Sequence, residues 1–211
     1  EEMVSHALRP KIGCVGAKLL YPDDTIPHAG VIVGLGGGAG HAFKHTKKTS
    51  KGYSGMLSLV RNYSAVTAAC LMVRKAVYEE VGGLDEELFK VAFNDVDFCL
   101  RIREAGYRNL WTPYAELYHR ESVSRGNDNT PEKAPRAQVE LNCLHVRWSM
   151  SVILDPCYNP NFSLFSENFW FGIKEVPNVE VLNQAFKSKR RSSAAFANVP
   201  NSLKEKKLTR I

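Results

Sequence analysis

The spacing of apolar positions changes often along this chain and marks out a series of short strands and helices. MVSHAL at 3–8 reads as the last turns of a helix stopped by Pro10, and IGCVGAKLLY at 12–21 is a mixed apolar run of the buried-strand kind. After the turn residues Pro22, Asp23 and Asp24, HAGVIVGLGGGAGHAF carries a short strand into a glycine-rich stretch. GLGGGAG lacks the Lys-Ser/Thr of a Walker loop and the spacing of a dinucleotide fingerprint, so it is read as a flexible loop. KKTSKGYSG at 47–55 is polar loop.

NYSAVTAACLMVRKAVYEEVGG predicts a strand running into a helix that stops at Gly82 and Gly83, and DVDFCLRIREA predicts a second helix ending at Gly106. YRNLW and AELYH read as two strands separated by Thr112 and Pro113. Beyond the polar loop SVSRGNDNTPE, Thr130, Pro131 and Glu132 suit a helix start, and Ala137, Leu141, Leu144 and Trp148 then form one apolar stripe. DPCYNPNFS at 155–163 is turn-rich. Periodicity and apolar density fade after about residue 173, which predicts a folded body over 1–173 and a weakly ordered tail or linker over 174–211.

Composition narrows the class. The 211 residues are 44% hydrophobic and 24% charged, enough for one sizeable core, and no apolar run approaches the roughly 20 residues of a membrane span. The formal charge is +6 from 28 basic and 22 acidic residues, but nine of the basic and three of the acidic ones fall in the last 38 positions. The body is therefore balanced, which argues against a nucleic-acid protein, since such a protein carries its positive stripe on the fold. Five cysteines, scattered and odd in number, read as reduced packing residues. That favours a cytoplasmic protein, with the inner face of the membrane as a possible station.

One constellation carries chemistry. VTAACLMVRKAVYEEVGGLDEEL followed by FNDVDFCLRIREAGYRNLWTPYAELYHRES resembles the second half of the catalytic domain of family 2 glycosyltransferases, in the GT-A fold, closest to bacterial members that build cell-surface polysaccharides. Its signature is an ordered set: a small-residue strand, a Gly-Gly-Leu-Asp-Glu turn, an acidic pair opening a helix, and a histidine some two dozen residues later. The resemblance spans about Val15 to Phe162. It implies an α/β fold, Rossmann-like, with a mixed sheet and flanking helices, and with the acceptor-side half in residues 1–173.

The resemblance implies roles residue by residue. Asp95 matches the catalytic base of inverting transfer, and Asn94 stands where the family usually has Glu, as an acceptor-binding group. A carboxylate there would take the proton of an acceptor hydroxyl as it attacks the anomeric carbon. Asp97, further along, is read as structural. Thr67, Ala68 and Ala69 match the strand end lining the donor sugar, His119 a ligand of Mn²⁺ or Mg²⁺, and Arg125 a phosphate-binding residue on the loop that also holds Ser122 and Ser124. Tyr114 is a candidate sugar-stacking residue, whereas Trp111 is read as core.

The implied partners are a nucleotide-sugar donor and a glycan or lipid-linked acceptor, with peripheral membrane contact possible. The family's nucleotide-binding first half, with its Asp-x-Asp motif, has no counterpart within these 211 residues. This predicts an N-terminally truncated domain that binds donor and metal poorly and transfers no sugar alone. Its strand near Val15 is expected to be an unpaired edge prone to self-association. A noncatalytic carbohydrate-binding or scaffolding module is the alternative, favoured by Asn94 and by Ala68 in place of the family's glycine.

Overall fold

The computed structural model describes residues 1–120 and 134–172; residues 173–211, and with them the predicted tail, lie outside the described residues, as does the segment with Ser122, Ser124, Arg125 and the predicted helix start at Thr130. The chain opens with α1 (Glu2–Ala7) and crosses into β1 (Ile12–Leu20), all nine residues of which are buried. Next come β2 (Val31–Val33) and β3 (Ala39–His41), which pair antiparallel as a separate two-stranded sheet. Then follow β4 (Arg61–Tyr63), β5 (Leu71–Val73), α2 (Lys75–Glu80), α3 (Asn94–Glu104), β6 (Arg108–Tyr118) and α4 (Ala134–Ile153).

The main sheet runs β4-β6-β1-β5, with β1 and β6 parallel and the outer strands antiparallel to their neighbours. This is the mixed α/β sheet with flanking helices expected of a GT-A-like domain. β1 is central rather than an edge: Cys14, Val15 and Gly16 pair with β5 on one side, and β6 runs along the other. The expected open edge near Val15 is therefore overturned, because β5 folds back antiparallel to cover it.

Burial on both faces explains the apolar run of β1. Ile12 and Val15 pack with Ala7 of α1 and Leu110, while Cys14 and Leu20 belong to the larger core with Phe98, Cys99 and Ile102 of α3. Gly13 permits the approach of α3, since a Cβ there would lie 2.2 Å from Ile102 Cγ2. Buried Asn109 then stitches the layers: its Oδ1 accepts from the Cys14 N–H (3.3 Å), and its Nδ2 donates to the carbonyls of Ser64 and Cys99 (2.9 Å each). The cysteines are unpaired thiols, with Cys14 and Cys99 fully buried as packing residues.

Three stretches differ from the sequence reading. The single strand expected to open NYSAVTAACLMVRKAVYEEVGG is broken into β4, a 3₁₀ turn at Ala68–Cys70, and β5, because the Thr67 hydroxyl accepts from the Ala69 N–H and closes a local turn. The two strands expected around Pro113 are one strand, β6. Its register jumps from Ala17 opposite Thr112 to Lys18 opposite Glu116, so Pro113, Tyr114 and Ala115 bulge out and the missing proline N–H is never required. The glycine-rich stretch is not a free loop but the turn between β2 and β3. At Gly34, with φ of 95°, a Cβ would sit 2.2 Å from the Val152 carbonyl oxygen of the segment that α4 contributes. The predicted stripe on α4 is its packing face, with Leu144 and Trp148 buried and Leu141 partly so.

Asp97, read as structural, is fully buried. Its Oδ2 accepts from Arg101 Nε (2.9 Å), and its Oδ1 accepts from Arg147 Nη1 and from Trp148 Nε1 (2.8 Å each). Substituting Asp97→Asn keeps the shape but removes the charge facing both guanidinium groups. It is expected to lower folding stability by roughly 3 kcal/mol, the lower end for a broken buried ion pair because both arginines retain other acceptors and some water. Urea unfolding followed by circular dichroism measures this, and a midpoint equal to that of the parent would contradict it.

Candidate functional site

The α3 start, the Thr67–Ala69 turn and the β2–β3 hairpin converge on a cavity of about 420 Å³, lined by Val31, Ala39–His41, Thr67–Ala69 and Val91–Val96. That volume falls within the roughly 300 to 1,000 Å³ of small-molecule sites. Five of the residues singled out from sequence meet here: Thr67, Ala68, Ala69, Asn94 and Asp95.

The carboxylate of Asp95 is held from two sides. Its Oδ1 accepts from the Val96 N–H (2.9 Å) at the start of α3, and its Oδ2 accepts from the Ala68 N–H (3.1 Å) of the 3₁₀ turn. An ionised carboxylate offers about four acceptor positions, so two backbone bonds orient it and leave lone pairs for a donor in the cavity. The Asn94 Oδ1 accepts from the Asp95 N–H (2.7 Å), which fixes the first turn of the helix.

The backbone in front of the pair is unusual. Phe93 adopts a left-handed φ of 61°, a conformation a bulky residue resists, and it lines the cavity. The segment is clamped by Glu140 of α4, whose side chain is buried and whose two oxygens accept from the N–H groups of Val91 (3.0 Å) and Ala92 (2.8 Å). Strain at Phe93 is thus sustained by a carboxylate about 50 positions away in sequence.

A histidine pair, absent from the sequence reading, stands behind the opposite wall. His28 is buried, and its Nδ1 lies 2.7 Å from Nδ1 of His41, which lines the cavity. The Nε2 of His28 accepts from the N–H groups of Gly30 (3.3 Å) and Thr67 (3.5 Å). The hairpin makes this meeting, since Val31 pairs with His41. The signal in the sequence was the near-palindrome HAG…GHA around the glycines, legible only once those glycines are recognised as a turn.

The remaining predicted site residues lie elsewhere. His119 follows β6 and is half-buried; its N–H extends the ladder to the Leu20 carbonyl (2.7 Å), and its ring is close enough to influence His28. Tyr114 stands exposed on the β6 bulge, its hydroxyl donating to the Ser58 carbonyl (3.0 Å), outside the cavity lining. Trp111 is core, fully buried, with Nε1 donating to the Ala17 carbonyl (3.1 Å). Arg125 lies outside the described residues. Among the described residues no group of three His, Cys, Asp or Glu side chains could hold a metal ion, and no helix is long and apolar enough to cross a membrane.

Comparison with known proteins gives three informative relatives. Uncharacterized protein y4gI of Sinorhizobium fredii is 52% identical over 168 residues, covering 80% of this chain and 18% of that protein. O-antigen biosynthesis protein RfbC of Myxococcus xanthus is 40% identical over 168 residues, 78% of this chain and 12% of the relative. N-acetylglucosaminyl-diphospho-decaprenol L-rhamnosyltransferase of Mycobacterium tuberculosis is 29% identical over 126 residues, 56% and 41%. The chain spans less than a fifth of the first two. No family model matches it.

The buried histidine generates a pH prediction. Burial, and then the charges of neighbouring His41 and His119, hold the pKa of His28 well below the ordinary histidine value. The unfolded chain takes up that proton near pH 6.5 and the folded chain does not, so this stability is present above about pH 6.5 and is lost as pH falls toward the depressed folded value. The unfolding free energy from urea titrations is expected to fall between pH 7.5 and 5.5, by at most about 1.4 kcal/mol per pH unit from this group. His28→Gln should flatten the dependence. An unchanged slope in that variant would remove His28 as its source.

Proposed function

Because the chain belongs to a bacterial cell-surface glycosyltransferase family, we propose that it supplies the acceptor-side half of a family 2, inverting sugar transferase in polysaccharide synthesis. The donor is a nucleotide-sugar and the acceptor a glycan or lipid-linked sugar. One observation carries this reading: Asp95 faces a ligand-sized cavity with both oxygens oriented by backbone N–H groups and with lone pairs to spare.

In this mechanism an acceptor hydroxyl donates to Asp95. As the hydroxyl oxygen bonds to the anomeric carbon, its proton passes to the carboxylate, and the nucleoside diphosphate leaves from the opposite face with the bonding pair. Attack and departure on opposite faces invert the anomeric centre. Asn94 and the backbone around Ala68 shape the sugar-binding wall, and the exposed ring of Tyr114 offers a stacking surface further out. Arg125 is assigned to the diphosphate by the family resemblance.

A divalent cation, Mn²⁺ or Mg²⁺, would neutralise the departing diphosphate. The described residues do not assemble such a site by themselves, so His119 is proposed as one ligand of a set completed by carboxylates outside them. The second reading, a noncatalytic carbohydrate-binding module, draws on the Asn94 amide oxygen being taken up by the Asp95 N–H. Oligosaccharide binding without sugar-nucleotide turnover would favour it.

Asp95→Asn in the full-length protein should leave nucleotide-sugar binding near normal while cutting turnover by about 10² to 10⁴, the usual range for a lost general base. Radiolabelled transfer from a panel of UDP-, dTDP- and GDP-sugars reads this, and turnover within threefold of the parent would sink the assignment. His119→Ala should raise the Mn²⁺ concentration giving half-maximal rate without altering the circular dichroism spectrum. A superimposable metal titration would leave His119 with a structural role only.

A further inference from the structure

Glu140 of α4 is a buried carboxylate whose close partners are main chain. Its side chain is 3% exposed, the ion pair to Arg136 one turn earlier is long at 4.0 Å, and its two oxygens take the N–H groups of Val91 (3.0 Å) and Ala92 (2.8 Å). Those N–H groups belong to the segment that enters the left-handed Phe93 and then α3. The next residue of α4, Leu141, meets Phe93 at the hairpin: a Cβ on Gly38 would lie 2.9 Å from Leu141 Cδ1 and 3.3 Å from Phe93 Cζ, so both side chains close on the β2–β3 turn there. The residue two before Asp95 is thus fixed twice, its backbone through Glu140 and its ring by packing.

One bond gauges where this leaves Asp95. Its Oδ1 is held by the Val96 N–H of its own helix and travels with it, but its Oδ2 meets the Ala68 N–H, 27 positions away on a different element, at 3.1 Å. That is near the long end of the N–H···O range of about 2.7 to 3.2 Å, so a displacement of roughly half an ångström breaks it. A change of backbone region at Phe93 would move the start of α3 by more than that. We infer that Glu140 is a positioning residue of the transfer reaction: by binding the N–H groups of Val91 and Ala92 it sets the reach of the Asp95 carboxylate into the cavity. This rests on the reading of Asp95 as the base.

Glu140→Gln isolates the effect, because the two side chains have the same shape. An amide has one acceptor end and one donor end, so whichever way it turns, one of the two N–H groups faces another N–H. In ¹H–¹⁵N spectra of the chain, the Ala68 amide proton should shift as Asp95 is protonated between about pH 7 and 3, and Asp95→Asn should abolish that shift. In Glu140→Gln its amplitude should fall by roughly half or more. In the full-length protein, assayed over a panel of sugar nucleotides and of glycan and lipid-linked acceptors, Glu140→Gln should lower kcat by roughly 10- to 100-fold, as for a reacting group displaced by about an ångström, with the donor KM within about twofold of the parent. A role in stability alone would reduce the folded fraction and leave both the Ala68 titration and the kcat of the folded enzyme unchanged, and that result overturns the inference. So does an Ala68 amide that does not titrate in the parent. Should Glu140→Gln lose the native circular dichroism spectrum, Glu140→Asp, which keeps the charge but draws the acceptors back by one methylene, is read by the same two criteria. Absence of transfer by the parent counts against the transferase reading alone and leaves the Ala68 titration to decide this one.

Discussion

The charge on Asp97 is the constraint around which the lower half of the molecule is arranged. A carboxylate removed from water must be fully paired, and three donors do so from two helices: Arg101 one turn along α3, and Arg147 and Trp148 from α4. The donors then extend the network. Arg101 reaches the carbonyls of Val81 (2.5 Å) and Gly83 (2.6 Å) beyond α2, and Arg147 reaches Asp85 (2.9 Å), whose other oxygen accepts from the N–H groups of Glu87 and Leu88. One buried charge thereby ties α3 to α4, to the exit of α2 and to the turn between α2 and α3.

With α4 held in that position, Glu140 one turn ahead of Leu144 comes to lie against the segment before α3 and takes up its two N–H groups. Phe93 can then persist in a left-handed conformation, and Asp95 begins the helix facing the cavity rather than solvent alone. The opposite wall is organised independently. Asp155, after α4, accepts from the Val33 N–H of β2 and from the Ser64 hydroxyl after β4, so the β2–β3 hairpin is fixed to the same framework. Burial raises the pKa of Asp155 above the ordinary value, with the Ser64 hydroxyl, the N–H groups of Val33 and Cys157, and Arg103 opposing it. The cavity is thus bounded by elements that are each pinned by a carboxylate, which is why its polar groups can be held in orientation without a ligand.

The two aspartates two positions apart at the start of α3 divide these tasks. Successive helical residues turn by about 100°, so positions i and i+2 point to nearly opposite sides. Asp95 therefore addresses the cavity and Asp97 the core. One helix start supplies both the reactive group and the anchor that positions it.

Much of this was legible in the sequence, and the division follows a physical line. Local periodicity sufficed for α1, β1, α2 ending at Gly82 and Gly83, α3 and the stripe of α4, because burial on one face or two writes itself into neighbouring residues. The ordered motifs also sufficed to bring Thr67, Ala68, Ala69, Asn94 and Asp95 to one place. What the sequence did not disclose depends on partners distant along the chain. Asp97 meets Arg147 and Glu140 meets Val91 and Ala92 across some 50 positions, and no local pattern encodes which charge is paired. β6 continues through Pro113 because the parallel partner β1 tolerates a bulge there, a property of the pair and not of either strand. β1 became central because β5 folds back onto it. His28 and His41 meet only because the glycines between them form the turn of a hairpin, a contact between side chains that tertiary structure alone brings within reach.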